Sequence, residues 1–234
     1  MSKKLECLKN VSIFSGMNDS HLEEIASITI ENKFKKNKVI FSKGDRGNVL
    51  FILTSGTVKL SLFDQSGKEM ILKMLYKNDF FGEMSLLDDY FRSATVTAVE
   101  DSQALLIYRN EFMRLIHEFP GIALEMLKVF VHRLKTSDKK IVSLTFFDAF
   151  RKVSSTVIDL AEKTGRQEGK YTAIDLTLTR QDLANMIGLS RETLTRILQE
   201  LHFREILSVS RKKIVILDPK ALENEIENAR IPKL

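Results

Sequence analysis

Apolar and polar positions change texture repeatedly along the chain. Up to about residue 30 the spacing is helical: Leu22, Ile25, Ala26 and Ile28 share a face behind Asp19 or Ser20 as N-cap. From Phe34 to Tyr108 come short runs of Val, Ile, Leu and Phe. Turn signals separate them at Lys43-Gly44-Asp45, Arg46-Gly47-Asn48, Ser55-Gly56, Gln65-Ser66-Gly67 and Lys77-Asn78-Asp79. Strands and turns at this spacing predict a β-sandwich or β-roll. Positions 58, 60 and 62 alternate as a half-buried strand should.

Helical spacing returns at Arg109 and runs past Leu144, broken near Phe119-Pro120-Gly121. Leu127, Val131, Leu134, Ile141 and Thr145 follow one another at intervals of four, three, seven and four, with Asp138 in the remaining seam position. So narrow a stripe wants a partner helix and is read as the dimer helix; packing against the chain's own β-rich half is the alternative. Asp148 predicts the N-cap of a further helix, Ala149 to Lys163, closed by Gly165. Residues 166–171 read as a loop. Ala173–Leu178 and Ile206–Leu217 read as strands, the latter pair turning through Ser210-Arg211-Lys212-Lys213 as a wing. Residues 218–234 have helix-compatible composition.

Between those strands lies Thr179 to Leu201, two short amphipathic helices around a tight break. Leu183, Ala184, Met186 and Ile187 mark one apolar stripe; Leu194, Ile197, Leu198 and Leu201 mark the other. Thr179 with Asp182 opens the first helix, Gly188 ends it, and Ser190 caps the second. This is the helix-turn-helix pattern. Arg191, Glu192, Thr195 and Arg196 fall opposite the leucines, where a recognition helix meets the major groove. Arginine can fork onto guanine O6 and N7, and glutamate can accept from cytosine N4. Ser190 and Thr193 belong to the same first turn. Thr179, Arg180 and Gln181, at a helix N-terminus, suit phosphate contacts.

The chain has 234 residues, 44% hydrophobic and 29% charged, which is ordinary for a globular protein of one or two domains. No apolar run is long enough for a membrane helix and the N-terminus lacks a signal-peptide core, so a cytoplasmic location with no membrane partner is expected. Net charge is +5, and residues 180–213 carry seven Lys/Arg against four Asp/Glu, a modest excess of the sign DNA requires. Cys7 is the only cysteine, which excludes an internal disulfide and a four-thiolate iron–sulfur cluster. Histidines occur at 21, 117, 132 and 202, none in the strand-rich stretch, so neither a metal site nor catalytic residues are expected there.

One stretch of the β-rich half differs in chemistry: Gly82-Glu83-Met84-Ser85, then Arg92-Ser93. Backbone N–H groups at Gly82 and Ser93, the Arg92 fork and the Glu83 carboxylate could cradle a phosphate and accept from a ribose hydroxyl. An Arg92–Glu83 ion pair in an empty pocket would give the same sequence.

S-R-E-T-L-T-R at Ser190–Arg196, after T-R-Q-D-L-A-N-M-I-G, resembles the recognition element of the CRP–FNR family, and Gly82–Ser93 resembles the phosphate-binding cassette of cyclic-nucleotide-binding domains. The resemblance spans about Ile13 to Leu217. It implies an α+β chain: a β-roll (jelly roll) effector domain over 1–110, a dimerisation helix and hinge over 111–146, and a winged helix-turn-helix over 147–234. It also implies a non-enzymatic, homodimeric transcription regulator that binds palindromic double-stranded DNA resembling TGTGA-N6-TCACA and works with RNA polymerase. Glu83 would then meet the ribose 2′-OH, and Arg92 and Ser93 the cyclic phosphate. Where family members that bind cyclic AMP place a Thr-Ser pair against adenine, this chain has Ser137 and Asp138, with Arg133 one turn earlier. Asp138 could accept from adenine or from guanine. Cyclic AMP is therefore the first candidate, with cyclic GMP and cyclic di-GMP as alternatives. A roll without a nucleotide, or a nucleotide-binding module acting on a protein partner, are the other readings.

Overall fold

The computed structural model describes residues 3–87 and 91–227. They pack as two units, Met1–Lys135 and Thr136–Leu234, dividing within the longest helix. The last part of the C-terminal segment expected to be helical, 228–234, lies outside the described residues.

The first unit begins with helix α1 (Lys3–Lys9), a 3-10 turn at Ser12–Phe14, and α2 (Asp19–Ile28). The N-cap of α2 is Asn18, whose side chain accepts from the His21 N–H; Asp19 and Ser20, expected to cap, lie inside the first turn. Asn18 has the extended backbone a cap requires, while the Asp19 carboxylate pairs with Lys9 at 2.7 Å.

Eight strands follow: β1 (Ile30–Phe34), β2 (Val39–Phe41), β3 (Val49–Ser55), β4 (Val58–Phe63), β5 (Glu69–Leu75), β6 (Phe80–Phe81), β7 (Thr95–Ala98) and β8 (Ser102–Tyr108), with the short helix α3 (Met84–Leu87) between β6 and β7. They form two antiparallel sheets, ordered β1-β8-β3-β6 and β2-β7-β4-β5. β3 shows why its sequence is apolar without alternation, since both of its faces are covered. Val49, Phe51 and Leu53 join Val58, Leu75, Phe81 and Val96 in the core between the sheets. Leu50 and Ile52 face a second core with Leu8, Ile13, Phe14, Leu22 and Ile25, closed by α4 (Arg109–Glu118) through Phe112 and Leu115. The long helix α5 (Gly121–Phe146) adds Ile122 and Met126 to that core. The break before α5 falls at the expected Phe119-Pro120-Gly121.

The second unit holds α6 (Ala149–Thr164), β9 (Arg166–Glu168), β10 (Tyr171–Asp175), α7 (Arg180–Ile187), α8 (Arg191–Phe203), β11 (Leu207–Val209), β12 (Lys213–Ile216) and α9 (Pro219–Glu227). Asp148 caps α6, accepting from the Arg151 N–H at 2.8 Å. The expected loop at 166–171 is in fact strand β9 and a turn into β10. Its residues are all exposed and lack alternation, so pairing with β10 alone makes it a strand. The sheet order is β11-β12-β10-β9. Both apolar stripes of the helix pair are used: Leu183, Ala184, Ile187, Leu194, Ile197, Leu198 and Leu201 are buried, with Met186 half-buried.

Candidate functional site

The cassette begins where β6 ends. Gly82 has φ of 84° and lies so close to Val49 that a Cβ would come within 2.9 Å of the Val49 carbonyl oxygen, so the chain can turn here only with glycine. The turn carries Glu83 inward, to 3% exposure. Its Oε1 accepts from Arg133 Nη1 at 2.5 Å, while its Oε2 is buried with no partner among the described residues. Arg133 also donates to the Phe80 carbonyl at 2.9 Å and lies over the Phe80 ring.

Arg92 does not pair with Glu83. It is 6% exposed, and its guanidinium donates to the Gly82 carbonyl at 2.9 Å, Ser85 Oγ at 2.8 Å and the Val49 carbonyl at 3.0 Å, stacked 4.2 Å from the centre of the Phe41 ring. Burial pushes its pKa down to about 10, opposed by the nearby charges of Glu83 and Asp45, so it remains a cation at neutral pH. Ser85 is buried and also donates to the Gly82 carbonyl; Ser93 and Met84 are exposed and touch through Ser93 Oγ and Met84 Sδ. The structure thus brings together Gly82, Glu83, Ser85, Arg92 and Arg133. Ser137 and Asp138 are exposed on α5, beyond Lys135 and so in the second unit. Phe41, Gly47 and the Val49 carbonyl were invisible to local reading: nothing near them in sequence marks their contact with Arg92.

In the second unit α7 opens with a reciprocal capping box between Thr179 and Asp182, and Gly188 closes it in the left-handed conformation, φ 68°. Thr179 is exposed, with its hydroxyl engaged by Asp182, and Gln181 reaches Asn185 at 2.9 Å. Arg180 is half-buried and donates to the Ser210 carbonyl at 2.7 Å, which ties the start of α7 to the turn between β11 and β12. Ser190 caps α8 by accepting from the Thr193 N–H, and the two hydroxyls lie 3.0 Å apart. The Thr195 hydroxyl is turned back onto the Arg191 carbonyl. That leaves Arg191, Glu192 and Arg196 as the exposed charges in the first two turns of α8, away from the leucines. The backbone and Ser190 hold the Glu192 carboxyl below the usual carboxylate range, so it stays an acceptor. Arg211 and Lys212 are exposed at the tip of the β11–β12 turn.

On α5 the seam lies open: Leu124, Leu127, Val131, Leu134 and Ile141 are all more than half exposed. Among the described residues no group of three His, Cys, Asp or Glu could hold a metal, and no helix is long and apolar enough to cross a membrane.

The sequence matches the cyclic nucleotide-binding domain over residues 31–119 and the Crp-like helix-turn-helix domain over 151–225. A cAMP-activated global transcriptional regulator CRP of Pasteurella multocida is 30% identical over 199 residues, covering 85% of this chain and 95% of its own. A CRP-like cAMP-activated global transcriptional regulator of Mycobacterium tuberculosis is 28% identical over 93% of this chain and 97% of its own. Among solved structures, the catabolite activator protein of Thermus thermophilus is 27% identical, with a TM-score of 0.53 over 94% of this chain and all of that one. The chain therefore belongs to the CRP–FNR family of DNA-binding transcriptional regulators, with a cyclic nucleotide-binding domain before α5 and a Crp-like helix-turn-helix after it.

Proposed function

We propose that this regulator is switched by a cyclic nucleotide bound in its β-roll and acts as a homodimer on palindromic DNA. The observation that carries the effector reading is Glu83: a buried carboxylate with one oxygen on Arg133 and the other without a partner among the described residues is poised for a hydroxyl donor. A ribose 2′-OH supplies one, and the phosphate would fall to Arg92, Ser93 and the backbone at Gly82, beside Met84 and Ser85. Ser137 and Asp138 are assigned to the base. Cyclic AMP is the first candidate because the Pasteurella and Mycobacterium relatives are described as cAMP-activated; cyclic GMP and cyclic di-GMP remain alternatives because Asp138 can accept from guanine. The division of labour is 1–110 for sensing, 111–146 for dimerisation and hinge, and 147–234 for DNA.

Dimerisation through α5 is supported by its open apolar seam, which only a partner helix would cover along its length. Two copies of α8 would then read half-sites about 34 Å apart, resembling TGTGA-N6-TCACA. Arg191, Glu192 and Arg196 read bases, and Thr179, Gln181, Ser190, Thr193 and Thr195 position the helices on the backbone. RNA polymerase is the proposed protein partner, the cytoplasm the proposed location, and no catalysis is assigned.

A second reading, a regulator whose roll works empty or holds another effector, is favoured by one observation: Arg92 already gives three N–H bonds to the roll itself. Isothermal titration with cyclic AMP, cyclic GMP and cyclic di-GMP, repeated on Arg92→Ala and Glu83→Ala, separates the two. Binding that both substitutions abolish supports the nucleotide; no heat with any of the three favours the second reading.

A further inference from the structure

The loop between β2 and β3 closes on Arg92. The Arg92 N–H donates to the Asp45 carbonyl and its carbonyl accepts from Gly44, both at 2.9 Å, while Arg46 and Phe91 form an isolated antiparallel bridge. Gly47, in the same loop, touches the guanidinium itself. A Cβ on Gly47 would lie 2.3 Å from Arg92 Nε, 2.4 Å from Cζ and 2.5 Å from Ser85 Oγ. Any side chain here would evict the guanidinium from its seat among Gly82, Ser85 and Val49. Nε, facing Gly47, is buried without a partner among the described residues.

The geometry points to Gly47 as an affinity-determining residue: by leaving room for Arg92 to give three of its N–H donors to the roll's own acceptors, it makes an anionic effector compete with them. The seat is made by the roll's own Gly82, Ser85 and Val49. That the competing anion is a cyclic nucleotide rests on the function proposed above. An anion that takes the guanidinium from these acceptors breaks N–H···O bonds to them, and each one lost weakens binding severalfold.

The test uses the full chain without effector. Phenylglyoxal modification at Arg92, followed by mass spectrometry, is compared in the wild type, Gly47→Ala and Ser85→Ala. The last removes one acceptor without adding bulk, should Gly47→Ala fail to fold. Cyclic AMP affinity is measured on the same proteins. The seat predicts faster modification of Arg92 and about fivefold tighter cyclic AMP binding in Gly47→Ala. An unchanged modification rate in both variants overturns it. Faster modification with weaker binding also overturns it, since Arg92 would then be gripping phosphate from its present position. If no protein binds cyclic AMP, cyclic GMP or cyclic di-GMP, the nucleotide reading falls, and the Arg92 rates alone uphold or overturn the seat.

Discussion

Glu83 in the cassette and Arg133 on α5 are joined by a 2.5 Å ion pair across fifty residues of sequence. The cassette turn is thereby tied to the helix that carries the exposed seam. Because the Glu83 side chain is almost fully buried, removing Arg133 strands a carboxylate rather than releasing it to water. Arg133→Ala should cost about 3 kcal/mol in urea unfolding, discounted to about 2 for the part of Arg133 that stays in solvent. Glu83→Gln, which keeps the shape and removes the charge, should cost about half as much. Equal and negligible losses would show that the pair is not formed in solution.

The capping box predicts a local effect of similar size. Thr179→Ala removes the acceptor for the Asp182 N–H and should destabilise the second unit by about 1 kcal/mol, while Thr179→Ser should be nearly neutral. Urea unfolding followed by helix signal distinguishes the two substitutions; a loss shared by both would assign Thr179 to packing instead.

On the DNA face, Arg191 and Arg180 should fail differently. Arg191→Ala should lower affinity for the matching palindrome by about 1–3 kcal/mol and relax preference at one G·C pair. Arg180 is half-buried and holds the Ser210 carbonyl, so Arg180→Ala should weaken all sequences alike by loosening the β11–β12 turn. Lys212→Ala, at that exposed tip, should lower the salt slope by about 1 if the turn meets phosphate. Binding titrations at several salt concentrations read all three, and an Arg191→Ala loss equal on random DNA would reassign that residue to the phosphates.

The seam on α5 predicts the oligomeric state. Leu134 is 64% exposed, so Leu134→Asp should leave each copy folded while splitting the dimer, as read by sedimentation equilibrium and circular dichroism. A monomeric wild type would remove the role assigned to α5.

What was legible in the sequence depended on how local its cause was. Thr179, Asp182, Gly188 and Ser190 act within four residues of themselves, so caps, turn and both apolar stripes could be read directly. The roll was legible as spaced strands and turns, because glycines such as Gly56 and Gly67 carry the left-handed φ that turns demand. β9 was not, since an exposed strand without alternation differs from a loop only by its partner. The α2 cap was misread by one residue among three adjacent capping types, Asn18, Asp19 and Ser20. In the cassette the residue types were visible but their pairing was not. Arg92 sits on Val49 and Gly47 while Glu83 takes Arg133, contacts fixed by packing over more than forty residues.

Control of sequence-specific DNA binding by effector occupancy is read by fluorescence anisotropy on a labelled TGTGA-N6-TCACA duplex. Cyclic AMP should tighten binding to this duplex at least tenfold, with little change on a scrambled duplex, and Glu83→Ala should abolish the response. Equal affinity for both duplexes, or tight palindrome binding that cyclic AMP, cyclic GMP and cyclic di-GMP all leave unchanged, would contradict it.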